Sequence, residues 1–399
     1  MYKLYCRIYQ RVFKAFAYLL PWREPEVIRG ENSLCKLPGL IKSRDIDKVL
    51  IVTDKMIASL GLTDKLLMGL TDVGVDYVVY DETVPNPTIE NIEDALHLYK
   101  SNNCKGIVAF GGGSPLDCAK GVGARVTRPN KSISQMKGVF KVLKSIPPLF
   151  AVPTTAGTGS ETTIAAVITD GRTHEKYAIS DTSLIPHYAV LDPMLTVNLP
   201  PHITSTTGID ALTHAVEAYI GKSNTKRTKK SSRDAVSLIF ANIFEAYSNG
   251  KNLAARKNMQ EASFLAGLAF TRAYVGYVHA IAHTLGGFYS VPHGLANAII
   301  LPYVLEFYGE SAHKPLAELA DLVGLSSPDD NLEKKAVKFI EAIKRLNKSM
   351  DIPTKVSGII ESDIPVMVKR ALDESNPLYP VPKIMSRDDM TKIYHVIKE

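Results

Sequence analysis

From about residue 48 the chain alternates apolar strand patterns with helical ones, and this alternation restricts the fold more than any other feature. Val49-Leu-Ile-Val-Thr53, Asp76-Tyr-Val-Val-Tyr80, Gly106-Ile-Val-Ala-Phe110, Pro148-Leu-Phe-Ala-Val152, Ala165-Ala-Val-Ile168 and Tyr188-Ala-Val-Leu-Asp192 read as strands. Helical patterns over about 55–74 and 89–102 separate the first three. Apolar strands joined by helices are covered on both faces, which predicts a parallel sheet. Pro193, Pro200 and Pro201 then mark a boundary. Beyond it the pattern is helical over about 204–221, 230–249, 253–272, 276–287, 294–308, 312–323 and 331–350. The expected organisation is an α/β domain over 1–194 followed by an all-α domain over 195–399. A chain of 399 residues exceeds one core, and 45% hydrophobic residues supply two.

The third strand runs into Gly111-Gly-Gly-Ser-Pro-Leu-Asp-Cys-Ala-Lys120. Glycines admit positive φ and let backbone approach a ligand. Ser114 is expected as a helix N-cap, Pro115 as N1, and Asp117 as the acidic member of a capping box. A strand, a glycine turn and an exposed helix N-terminus make an anion site suited to a pyrophosphate. The alternative is a tight structural turn. A second stretch, Val152-Pro-Thr-Thr-Ala-Gly-Thr-Gly-Ser-Glu-Thr-Thr163, offers further backbone donors and hydroxyls between strong strands.

The helical half concentrates metal-ligand chemistry. Of ten histidines, three fall between Gly276 and Pro302: His279, His283 and His293. His279 and His283 project from one helix face, and spacing alone leaves them equivalent. Gly286-Gly287 is expected to end that helix, and Pro292-His293-Gly294 to turn back. Asp210 and His214 repeat the four-residue spacing upstream. One carboxylate with imidazoles suits Fe(II), Zn(II), Mn(II) or Co(II). The bland reading is a set of core histidines satisfied by hydrogen bonds.

The charge balance, 47 basic against 41 acidic residues, is a modest +6. The densest basic patch, Lys222 to Arg233, has no interleaved aromatics and reads as a solvated loop, so no nucleic-acid partner is expected. Cys6, Cys35, Cys104 and Cys118 form no Cys-x-x-Cys pair, and a reduced, cytoplasmic compartment fits. No run reaches membrane-spanning length. Residues 1–27 hold an extra amphipathic helix with Lys3, Arg7, Arg11 and Lys14 as a basic stripe. Contact with a membrane surface through 1–20 is weighed against packing on the body or a partner chain, and packing is favoured.

These motifs together resemble the iron-dependent (group III) alcohol dehydrogenase family, over about residues 35–395. The resemblance rests on Gly-Gly-Gly-Ser-Pro-Leu-Asp-Cys-Ala-Lys, Pro-Thr-Thr-Ala-Gly-Thr-Gly-Ser-Glu, Gly-Ile-Asp-Ala-Leu-Thr-His, and Val-His-Ala-Ile-Ala-His with Pro-His-Gly. It implies an NAD-binding α/β domain, an all-helical metal-binding domain and an active site in the cleft between them. It implies Asp210, His214, His279 and His293 as metal ligands, Fe(II) as the metal with Zn(II) as alternative, and His283 as the catalytic proton relay. It places Gly111, Gly112, Gly113, Ser114, Asp117, Thr154, Thr155, Thr158 and Thr163 around NAD, with Asn86, Val167 and Lys176 lining the site. Asp54 would meet the adenine ribose and favour NAD over NADP. Ala165 departs from some diol-specific relatives, which carry a polar residue there.

The reaction so implied is hydride exchange between NAD(H) and an alcohol/aldehyde or ketone pair, in a homo-oligomer, expected as a dimer. A lyase resembling dehydroquinate synthase would use the same metal and NAD. It needs cations for an anionic substrate, and none stands between His279 and Tyr303. A non-catalytic structural or membrane-associated relative would not need the complete ligand set.

Overall fold

The computed structural model describes residues 1–173 and 175–399. It divides into two compact units, residues 21–198 and residues 1–20 with 199–399. The first helix, α1 (Tyr2–Tyr18), therefore belongs with the helical unit. Chain order had assigned 1–27 to the α/β domain. The reason for the difference is a set of side-chain bonds from α1 to backbone carbonyls near residues 222 and 380.

Unit 21–198 is built on β1 (Glu26–Arg29), β2 (Lys48–Val52), β3 (Asp76–Tyr80), β4 (Gly106–Gly111), β5 (Gly138–Val139), β6 (Leu149–Pro153), β7 (Ala165–Asp170), β8 (Glu175–Ser180) and β9 (Tyr188–Leu191). Six strands form one sheet in the order β1-β9-β6-β4-β2-β3. Every pairing in it is parallel, with Val49 opposite Gly106 and Ile107 opposite Leu149. Successive side chains alternate between faces. Leu50, Val52, Ile107 and Ala109 enter one core with the helices α5 (Ile89–Ser101) and α6 (Gly113–Thr127). Val49, Ile51, Val108 and Phe110 enter the other, with α2 (Leu37–Lys42), α3 (Lys55–Ser59) and α4 (Asp64–Asp72).

Two local expectations are corrected here, and strand β1 is an element the sequence pattern does not show. The single helix over 55–74 is two, because Gly61 takes positive φ between α3 and α4. The strand β7 leaves the main sheet and pairs antiparallel with β8. Edge strand β1, only four residues and partly exposed, lacks the apolar run that marks central strands.

The other unit holds α7 (Pro201–Ile220), α8 (Lys226–Ser248), α9 (Leu253–Ala273), α10 (Tyr277–Tyr289), α11 (His293–Tyr308), α12 (Glu310–Leu322), α13 (Leu332–Ser349), α14 (Ile364–Ser375) and α15 (Arg387–Ile397). Pro201 starts α7 at a position where a missing N–H costs nothing. The basic stretch read as a loop is one only up to Thr225; from Lys226 it forms the first turns of α8, capped by a capping box between Thr225 and Thr228. Gly286-Gly287 does not end α10, which runs on to Tyr289 and stops at the left-handed Ser290. The glycines sit inside an otherwise buried helix, where packing outweighs their roughly 1 kcal/mol propensity cost each.

Candidate active site

In the helical unit, α7 presents Asp210, His214 and Glu217 at i, i+4 and i+7, one buried face. Helix α10 presents His279 and His283, and α11 opens with His293 and carries Asn297 one turn on. These three helices bring one atom each of Asp210, His279 and His293 within 4.8 Å of one another. The Oδ1 of Asp210 lies 3.8 Å from Nε2 of His279 and 3.8 Å from Nε2 of His293. The His214 ring stands beside this trio, 4.4 Å from the His279 ring and 4.0 Å from Phe270, centroid to centroid. The donor set of one carboxylate and imidazole nitrogens fits a borderline divalent metal.

Two buried residues that the sequence reading missed hold the trio in place. The Nδ1–H of His279 donates to Glu217 Oε2 at 2.6 Å, which directs the Nε2 lone pair at the trio. Glu217 also accepts from the N–H groups of Gly276 and Val278, at 2.8 and 2.9 Å. Burial pushes Glu217 up to about 7, against the pull of those two N–H groups. The Nδ2 of Asn297 lies 2.6 Å from Asp210 Oδ1, 3.3 Å from His279 Nε2 and 3.1 Å from His293 Nε2. A carboxamide has two N–H donors, so it serves two of those three atoms at once.

His283 is differentiated by its partner, not by its spacing. Its Nδ1 is 2.7 Å from Glu374 Oε1, which also accepts from the Tyr379 hydroxyl at 2.8 Å. Its ring stacks on His293 at 5.2 Å. Glu217 had a signal, since it continues the Asp210–His214 stripe. Asn297 had one too, four residues after His293. Glu374 had none, being 91 residues from the histidine it holds.

In the α/β unit, β4 passes through Gly111 into α6. Gly111 takes φ +149, and a Cβ there would meet Pro115 Cγ at 2.6 Å. Gly113 is equally obliged, because a Cβ would meet Thr158 Cγ2 at 2.9 Å. The helix begins at Gly113 with Gly112 as N-cap, so Ser114 lies inside the first turn and caps nothing. Its hydroxyl accepts instead from Asn86 N–H at 3.2 Å. Asn86, held at φ 58, accepts from Lys176 Nζ at 2.7 Å.

Asp117 forms no capping box. It accepts from the Ser160 hydroxyl at 2.8 Å and from Val167 N–H at 3.1 Å. Thr154 N–H donates to Gly111 O at 3.0 Å, and Thr155 and Thr158 flank Gly112 and Gly113. Thr163 is turned inward, its hydroxyl 2.8 Å from Lys120 Nζ. Lys120 was the unassigned end of the glycine motif. It also donates to Ser160 Oγ and to the carbonyls of Thr163 and Ala165, at 2.9, 3.1 and 2.8 Å. Asp54 caps α3, accepting from Ile57 N–H at 2.9 Å.

Residues 24–193 match the family described as iron-containing alcohol dehydrogenase, and residues 204–397 match the C-terminal part of the Fe-containing alcohol dehydrogenase family. The chain is 39% identical over 371 residues to the 1,3-propanediol dehydrogenase of Citrobacter freundii, covering 91% of this chain and 94% of that one. Its fold matches an alcohol dehydrogenase from Oenococcus oeni at TM-score 0.90 and 36% identity, over 94% of this chain and 100% of that one. It matches a sulfoacetaldehyde reductase from Bifidobacterium kashiwanohense, solved in complex with NAD+, at TM-score 0.83 and 27% identity, over 95% and 98%.

Proposed function

This chain belongs to the iron-containing alcohol dehydrogenase family, and from that premise we propose that Asp210, His214, His279 and His293 hold an Fe(II) ion at the centre of an NAD-dependent alcohol dehydrogenase site. The carrying observation is the meeting of Asp210, His279 and His293 within 4.8 Å on three different helices. The reaction is interconversion of a short-chain alcohol or diol with its aldehyde or ketone. The substrate class is suggested by the propanediol and alcohol dehydrogenases that the chain resembles. When bound, Fe(II) supplies a Lewis acid and NAD a hydride acceptor.

The chain's own groups supply orientation and proton handling. Glu217 fixes the His279 tautomer, and Asn297 donates to two of the three converging atoms at a time. Oxidation of an alcohol releases a proton from oxygen along with hydride from carbon. His283 takes that proton at Nε2, because Nδ1 is engaged by Glu374, whose charge stabilises the imidazolium. Val278, Ile281 and Leu285 of the histidine helix are buried apolar side chains beside the site histidines, which limits water around them.

In the α/β unit, Gly111 to Ser114 with Thr154, Thr155 and Thr158 are the proposed phosphate-binding groups, at the N-terminus of α6. Asn86 and Lys176 are paired and line the same segment. We assign Asp54 to the adenine ribose, with one oxygen already spent on its helix cap. Asp117, Thr163 and Val167 act by holding the two loops together. Four free cysteines fit the reduced cytoplasm as its compartment.

The test is anaerobic Fe(II) loading followed by NADH formation across ethanol, 1,2-propanediol, 1,3-propanediol and longer alcohols, with NADH oxidation by the matching aldehydes. Turnover that requires metal and prefers NAD is expected. Metal retention without turnover on any alcohol or carbonyl would refute the dehydrogenase reading.

A further inference from the structure

Two sequence features have no part in the dehydrogenase chemistry: the N-terminal helix and the basic patch at 222–233. They are neighbours. The Nζ of Lys14 donates to the carbonyls of Lys222 and Asn224, at 3.0 and 3.1 Å. Lys222, though exposed as a residue, is held below the usual lysine range by partial burial of its ammonium group and then by the nearby charges of Arg7 and Arg11.

Helix α1 is mounted with its polar edge inward. Arg7 donates to the carbonyls of Val381 and Pro382, at 2.7 and 2.9 Å. Gln10 donates to the carbonyls of Tyr379 and Pro377, at 2.7 and 3.1 Å. Cys6, Gln10 and Ala17 are the buried positions, and Phe13 meets Tyr274 edge-on. At 100° per residue the opposite side carries Leu4, Ile8, Val12, Ala15 and Leu19, flanked by Tyr5 and Phe16. That side is open: Leu4 is 64% exposed, Ile8 53%, Val12 65% and Leu19 80%. A helix packed on a body normally turns its apolar stripe to the core. Here the packing contacts leave that stripe outside.

The charge around the stripe has one sign. Residues 1–23 contain five cations, Lys3, Arg7, Arg11, Lys14 and Arg23, and no acid. Residues 218–233 contain Lys222, Lys226, Arg227, Lys229, Lys230 and Arg233, and again no acid. Of these, Lys3, Arg11, Lys222, Lys226, Arg227 and Lys230 are exposed. Two acids nearby are engaged: Asp373, close to Tyr2, is paired with Lys369, and Glu318 accepts from the Tyr219 hydroxyl; exposed Asp234 borders the patch on its far side in sequence.

We propose that the outward face of α1, with the adjoining basic start of α8, is a docking surface for an anionic phospholipid bilayer. The apolar stripe would enter the boundary between headgroups and acyl chains, and the cations would meet the anionic headgroups. A second copy of the chain is the poorer occupant. Pairing this surface with itself would set two acid-free cationic patches together. Among the described residues no helix is long and apolar enough to cross a membrane, so the contact is peripheral.

The experiment is flotation of the full-length protein with phosphatidylglycerol/phosphatidylcholine vesicles and with phosphatidylcholine vesicles alone. Co-flotation is expected with the anionic vesicles at low ionic strength, roughly tenfold or more above the neutral ones, and it falls as salt rises. The triple variant L4S/I8S/V12S should lower the bound fraction by about tenfold or more, since three apolar side chains no longer leave water. The variant K226E/K230E should lower it by several-fold while leaving the stripe intact. Both should keep their solution turnover, because all five positions are exposed and none is among the residues assigned to the site. Failure of the wild type to float with anionic vesicles at low salt overturns the proposal. So does undiminished flotation of the triple variant. A third overturning result is a wild type that does not float and whose assembly state, by sedimentation velocity, drops in the triple variant. That outcome would make the face an interface between copies.

Discussion

Each unit contains a buried polar cluster, and the two differ in where their bonds end. In the α/β unit Lys120 spends its ammonium hydrogens on oxygens of Ser160, Thr163 and Ala165, and Asp117 accepts from Ser160 and Val167. Burial pulls Lys120 down to about 8 and pushes Asp117 up, while their mutual attraction opposes both shifts. Donors and acceptors there complement one another and tie the two glycine-rich loops to α6. In the helical unit Asp210, His279 and His293 aim a carboxylate oxygen and two ring nitrogens at one point. Glu217 and Asn297 stand behind them. A cluster that balances itself is a brace. One that gathers lone pairs is completed by a cation.

That distinction predicts different kinds of damage, and the largest should fall on the gathered lone pairs. His279→Ala should strip the metal, seen by elemental analysis, and lower turnover on the order of 10⁴-fold, because the Lewis acid contributes several kcal/mol. Metal retained at wild-type stoichiometry would break the contrast. His283→Ala should keep the metal yet lose about 10²-fold in kcat, partly recovered at higher pH where solvent takes the proton. Loss of metal in this variant would move His283 into the ligand set. Lys120→Met should leave metal content alone and cost about 3 kcal/mol of stability by denaturant unfolding, since Asp117 loses its compensating charge. A stable Lys120→Met with depleted metal would erase the difference between the clusters.

The fourth prediction concerns acid. Within the α/β unit His187 accepts from Leu149 N–H at 3.1 Å, and burial, then Arg23, pulls it down to about 4 from 6.5. Between those values the unfolded chain takes a proton that the folded one refuses. Stability should therefore be intact above about 6.5 and decline as pH falls towards 4. His187→Asn should flatten the Tm profile across that window, and an unchanged slope would assign the acid sensitivity elsewhere. The smallest effect is on cofactor choice. Asp54→Ser keeps a helix cap but removes the charge, so NADP use relative to NAD should rise several-fold at little cost in stability. A constant ratio in steady-state kinetics would remove Asp54 from the ribose site.

The difference between the clusters also explains how far each was legible beforehand. Asp210, His214, His279, His283 and His293 stand out by residue type and by four-residue spacing, a property of one helix at a time. Glu217 extends that stripe and was readable in principle. Asn297 looks like an ordinary helical residue until α11 lies against α7. Ser114 looks like a cap, but Gly112 takes that place because backbone φ and ψ, not side-chain type, set where α6 starts. Asp117 looks like a capping-box acid and Lys120 like helix surface. Their partners lie about 40–50 residues onward in a separate strand and loop, so only the fold reveals a brace.

By itself the sequence determined the parallel sheet, the helical remainder and the short list of candidate ligand residues, because periodicity and local spacing are short-range properties of the chain. The tertiary structure alone decided what depends on long-range contact. It separated His283 from His279 by giving one Glu374 and the other Glu217. It moved α1 to the helical unit and turned its apolar face outward, since Arg7, Gln10 and Lys14 found carbonyl partners some 208 to 375 residues away. An amphipathic pattern states that a helix has two faces. Which one meets protein depends on the bonds available to each, and those are made only when distant segments meet.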